Sequence, residues 1–128
     1  MTGDGTNYHI IYDTVIFDQA SNYNNSTGVF TAPITGKYQI NAQVNFVNVN
    51  PTLIVRGQSQ LVATSRTMTN NYMNLSLVSN ADNQVSFSYS TLLDMSANDT
   101  VYVTMYAQGG SKDVYAGPEM YFSGYLIC

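Results

Sequence analysis

The side chains able to do acid–base, nucleophilic or metal chemistry are few in this chain. His9 is the only histidine, and it stands in an alternating stretch near the start. A structural or exposed role suits it better than a catalytic one. Cys128, the last residue, is the only cysteine, so it closes no disulfide within the chain and makes no convincing Cys/His pair. It is either a thiol partly buried at a strand end or a covalent link between chains. No Gly-x-Ser-x-Gly elbow is present, and QGGSKD at 108–113 is too short and lacks the helix of a phosphate loop. That stretch reads as a loop between strands. Seven aspartates and Glu119 bring the oxygen ligands calcium takes, without EF-hand spacing. If calcium binds, Asp82 and Asp113 are the first candidates; solvated turns are the simpler reading. No other cofactor is expected, nor is an enzyme.

Composition narrows the partners. The chain has 128 residues, enough for one domain over 1–128 with a proper core. Hydrophobic residues make up 45% and charged residues only 9%, far below the roughly 25% of ordinary soluble domains. Asn, Gln, Ser and Thr must therefore carry solubility, as on many secreted and virion surfaces. The formal charge is −4, with Lys37, Arg56, Arg66 and Lys112 as the only cations. No basic stripe could displace counterions from phosphates, which argues against nucleic acid. No apolar run approaches the roughly 20 residues of a membrane helix, so membrane insertion is not expected. MTGDGT at the start lacks the basic and apolar regions of a signal peptide. An extracellular location would then rest on export encoded elsewhere or on release by lysis.

The elements that must position these residues are strands. From Lys37 to Phe46, Tyr38, Ile40, Ala42, Val44 and Phe46 alternate with Lys37, Gln39, Asn41, Gln43 and Asn45. A period of two over this length predicts a strand with one face on a core, and its polar face carries almost no charge. Further strands are predicted over Asn7–Tyr12, Thr14–Phe17, Gly28–Ala32, Leu53–Gly57, Gln60–Ser65, Tyr72–Val78, Val85–Ser90, Thr100–Gln108 and Met120–Cys128. Polar, Gly- and Asn-rich turns separate them, and nothing reads as a helix. About ten short strands imply an all-β sandwich or jelly roll. Two strands carry apolar or aromatic residues on both faces. Tyr102 and Tyr106 back Val101, Val103, Met105 and Ala107; Tyr121, Tyr125 and Ile127 back Met120, Phe122, Gly124 and Leu126. A sandwich strand needs only one such face. Either a long loop covers the second face or a subunit does, and the richness in tyrosine favours the subunit.

From Tyr12 onward the chain resembles the globular head of the complement C1q family, within the C1q/TNF-like jelly rolls. Tyr12 stands at the first aromatic of the family signature, usually phenylalanine, and Asp18 at its acid-or-amide position. Tyr23, Phe30 of GVFTAP, Gly36 and Tyr38 follow at the signature spacing, while Ile40 and Ala42 replace aromatics. LLDMSANDTVYV resembles the family's leucine-rich strand, tight turn and Asp-x-Val pattern, and YFSGYLI its terminal strand. The wording, TGDGTNYHIIYDTVIFDQ especially, looks more like the C1q-like domains of bacteriophage tail fibres and bacterial surface proteins; no collagen repeat is present. The resemblance implies a jelly-roll sandwich of two antiparallel sheets and a tight homotrimer. It also implies that the terminal strand and the Asp-x-Val strand share the inner sheet, with Tyr102, Tyr106, Tyr121, Tyr125 and Ile127 facing neighbouring subunits.

The function expected is a homotrimeric recognition head on a virion or extracellular surface, binding a host cell-surface glycan or protein. The alternative is a trimeric structural cap or decoration of a virion. Ligand contacts are expected in loops: Thr64–Tyr72 with Arg66, Ser79–Gln84 with Asp82, and Gln108–Pro118 with Lys112 and Tyr115.

Overall fold

The alternation from Lys37 to Phe46 forms the spine of the molecule. A computed structural model describes residues 2–12, 15–17, 22–47, 56–69, 74, 84–113, 115–116 and 120–128. Among these every regular element is a strand: β1 (Thr2–His9), β2 (Val15–Phe17), β3 (Tyr23–Asn24), β4 (Val29–Thr31), β5 (Gly36–Val47), β6 (Arg56–Ala63), β7 (Thr67–Thr69), β8 (Val85–Met95), β9 (Thr100–Asp113), β10 (Tyr115–Ala116) and β11 (Tyr121–Leu126). One sheet runs β3–β4–β9–β6–β7 with β1 also on β9; the other runs β10–β5–β11–β2 with β8 on β5. Pairing is antiparallel throughout, except that β2 lies parallel to β11. This is the expected two-sheet jelly-roll sandwich.

The core follows from strand alternation. Tyr38, Ile40, Ala42, Val44 and Phe46 of β5 are all buried, as are Val101, Val103, Met105 and Ala107 of β9. Full burial of each large apolar side chain contributes about 1.5–3 kcal/mol. Tyr12, Tyr23, Phe30 and Tyr38, four positions of the signature, converge with Phe122 in one aromatic cluster. Tyr23 and Phe122 lie 4.9 Å apart between ring centroids, Tyr12 and Phe122 5.8 Å, and Phe30 and Tyr38 5.8 Å edge-on. These four signature positions are thus packing positions. Gly124 belongs with them by size, since a Cβ there would stand 3.0 Å from the Phe30 ring and 3.2 Å from Ile40. Ile40 and Ala42 are smaller than the usual aromatics, and both are fully enclosed.

Several elements differ from the sequence expectation, each for a local reason. The final strand and the Asp-x-Val strand do not share a sheet: β11 pairs with β5 and β2, β9 with β1, β4 and β6. β9 also continues through QGGSKD, because β1 extends back to Thr2 and pairs Thr2 with Asp113 and Asp4 with Gln108 across a register shift. A partner strand overrides the loop-forming tendency of two glycines. β1 in turn ends at His9, and Ile10 donates to the Val103 carbonyl at 2.9 Å. β6 is continuous from Arg56 where a break was expected, since Gln58 and Ser59 are held opposite Tyr106 and Met105. β8 runs on to Met95, matching β5 residue for residue from Val85–Phe46 to Met95–Gly36. The strand expected over Tyr72–Val78 and the loop at Ser79–Gln84 lie largely outside the described residues.

Candidate functional site

Each sheet keeps one face to the core and offers the other outward. On the sheet of β5, β8 and β11 the outward side chains are almost all uncharged amides, hydroxyls and phenols. Gln39, Asn41, Gln43 and Asn45 of β5 stand in register with Leu92, Ser90, Ser88 and Ser86 of β8. On the other flank Gln39 faces Tyr125, Asn41 faces Ser123 and Gln43 faces Tyr121. The amides bond one another. Gln39 Nε2 donates to Asn41 Oδ1 at 3.0 Å, Ser90 Oγ to the same oxygen at 2.9 Å, and Ser86 Oγ to Asn45 Oδ1 at 3.1 Å. At the far end Lys37 Nζ meets Asp94 Oδ1 at 2.7 Å, with both side chains more than half exposed. That bond raises the Lys37 pKa, but an exposed pair of this kind contributes little to stability. Leu92, 54% exposed, and Tyr125 close opposite ends of the same row.

On the opposite sheet Tyr102 and Tyr106 project outward, away from Tyr121 and Tyr125. The five aromatic and apolar residues expected at one interface therefore divide between two faces. The reason is topological: β9 and β11 are the central strands of different sheets. The His9 ring lies against Tyr102, 4.3 Å between centroids. Tyr106 donates its hydroxyl to Gln108 Oε1 at 3.0 Å. Between the two tyrosines Thr104 is 8% exposed, and its Oγ1 is buried without a hydrogen-bond partner. An unmet buried hydroxyl costs about 1–3 kcal/mol.

The loop candidates fare unevenly. Arg66 sits in the turn between β6 and β7, and its guanidinium donates to Thr91 Oγ1 and to the Leu92 carbonyl, both at 3.1 Å. It straps the edge of one sheet to β8 of the other, which is a structural use of its charge. Lys112 and Tyr115 belong to β9 and β10 instead of a loop, because β1 and β5 supply backbone partners there. Their side chains, like that of Asp113, lie outside the described ones, as does all of Asp82. Among the described residues no three His, Cys, Asp or Glu side chains cluster to hold a cation. Ile127 is 51% exposed, its N–H donating to the Lys37 carbonyl at 2.8 Å. Cys128 is an exposed free thiol, so the partly buried alternative is set aside. It borders a shallow depression of about 350 Å³ with Gly36, Lys37, Asp94 and Ser96.

A family model for the C1q domain matches residues 1–127. The chain belongs to the C1q domain family. Among solved structures it is similar to the globular domain of zebrafish complement 1qA protein. The two are 17% identical, with 98% of this chain and 93% of that one covered at a TM-score of 0.57. At that identity the likeness establishes the fold. No curated protein matches the sequence. C1q domains are typically trimeric recognition modules, generally non-enzymatic and usually extracellular. Among the described residues no helix is long and apolar enough to cross a membrane. Two features of this C1q domain escaped the sequence reading. One is the ladder of Gln, Asn and Ser shared by β5 and β8, whose signal was polar alternation in both strands. The other is the pairing of His9 with Tyr102, for which no local signal exists because β1 meets β9 across almost the whole chain.

Proposed function

We propose that this C1q domain is a homotrimeric recognition head, displayed on a phage fibre tip or a cell surface, that binds a host glycan or protein. Trimer contacts are carried by the outward face of β11, β5 and β8, with Tyr121, Tyr125 and Leu92 as anchors and Ile127 at its end. The observation behind this reading is the near absence of charge on that face. Burying a carboxylate or ammonium costs several kcal/mol, whereas amides and hydroxyls already bonded to one another can be desolvated far more cheaply. Large aromatics beside such a ladder supply the contact area that protein interfaces favour. Tyr102 and Tyr106, on the other sheet, stay accessible in such an assembly.

Three copies around one axis raise avidity for a repeated surface ligand without any new contact, provided the spacing matches. Tyr125→Asp puts a carboxylate on the buried face, and sedimentation should show the trimer dissociating. Binding of labelled wild-type trimer to host cells tests recognition separately. A trimer that binds no host surface would leave the structural cap as the better description.

A further inference from the structure

The outward face of β1, β9 and β6 is a second prepared surface, and trimer assembly through the other sheet leaves it uncovered. Its side chains form a grid set by register. Asn7, Tyr106 and Gln58 make one row; His9, Thr104 and Gln60 make the next; Tyr102 and Val62 make the third. Tyr102 and Tyr106 are four residues apart on one strand, about 13 Å, the span of two to three pyranose rings. No Asp, Glu, Lys or Arg stands in these rows; charge begins only in the row beyond them, where Asp4 and Arg56 stand in register on either side of Gln108.

We infer that this face binds a neutral oligosaccharide, laid across β9 with sugar rings against the His9–Tyr102 pair and Tyr106. The inference rests on the reading of the domain as a recognition head and names its ligand class. Apolar sugar faces need aromatic surface, and the half-buried tyrosines with the His9 ring provide it. Sugar hydroxyls need fixed donors and acceptors. Gln60 gives one N–H to Thr69 Oγ1 at 3.1 Å, which leaves its other N–H and its carbonyl oxygen for a ligand. Thr104 is the second, independent sign. It stands between the two tyrosines on β9, and its buried Oγ1 has no partner; a shift of the side chains that cover it lets a sugar hydroxyl, directly or through one water, supply the missing bond. The absence of formal charge favours a neutral ligand over a sulfated, phosphorylated or sialylated one.

The test uses the full chain and an array of gluco-, galacto- and manno-oligosaccharides, beside a set of acidic glycans. Tyr106→Ala and Gln60→Ala are compared with wild type, sedimentation is run on each, and Thr104→Val serves as a variant that keeps the packing. Wild type should bind a neutral member, and each alanine variant should weaken that binding about fivefold to tenfold with the trimer unchanged. Thr104→Val should bind more weakly while melting no lower than wild type. Neutral-sugar binding indifferent to all three substitutions would overturn this face and keep the recognition reading. Binding to acidic glycans alone, or to cells through protein alone, would overturn the ligand class and again keep that reading. No binding to any array member or any host cell would overturn both.

Discussion

Tyr12 shows how one atom can be at odds with its surroundings. Its ring fills the aromatic cluster, but its hydroxyl is buried without a hydrogen-bond partner. Burial, followed by the nearby Tyr23, Tyr89 and Tyr121 phenols, holds its pKa well above the ordinary range. The sign of the pH effect follows. Above about pH 10 the unfolded chain loses this proton and the folded chain keeps it, so stability is full below that pH and falls as pH rises. Tyr12→Phe, which restores the residue usual at this position of the signature, should raise stability by about 1 kcal/mol. It should also flatten the alkaline fall, both read from urea unfolding between neutral pH and about pH 11. Arg66 makes the opposite case, a charge already employed. Arg66→Ala removes two bonds to β8, and being exposed should cost about 1 kcal/mol or less in thermal or urea unfolding, with no loss of ligand binding. A large binding loss at unchanged stability would return Arg66 to the ligand site.

The strands best read from sequence are those whose partners need not be known. β5 announces itself by alternation alone, and so does the inward face of β9. The signature residues could be placed because their spacing is a packing requirement, and the aromatic cluster is where that spacing leads. What could not be read depends on pairing across long separations. β9 continues through two glycines only because β1 lies beside it, and the assignment of β9 and β11 to different sheets is a matter of topology that no window of residues contains. The candidate site suffered most from this. Its tyrosines were visible as outward-facing residues, but which of them share a surface was not, and His9 gained its meaning only once β1 met Tyr102. Gly28 gives a test at this level. It closes the turn between β3 and β4 at φ 74°, its N–H donating to the Asn24 carbonyl, and a Cβ there would run into the Ile10 carbonyl oxygen. Gly28→Ala combines a left-handed backbone with a backbone clash, and should cost roughly 2 kcal/mol or more in urea unfolding. An unchanged midpoint would mean that the chain at Ile10, just past the end of β1, does not lie against this turn.

The whole molecule presents two outward faces with different characters, suited to different partners. In the proposed trimer the β11–β5–β8 face packs against neighbouring copies, and the β1–β9–β6 face stays open to ligand. Because the first is nearly free of charge, its assembly should be insensitive to ionic strength, unlike an interface held by ion pairs, which weakens as the screening length shrinks to about 3 Å near 1 M salt. Sedimentation velocity on the intact chain at micromolar concentration, in low salt and in about 1 M salt, tests this most directly. A trimer is expected in both conditions, and its loss is expected in Tyr125→Asp. A monomer in low salt, or a trimer that survives Tyr125→Asp intact, would contradict the proposed assembly.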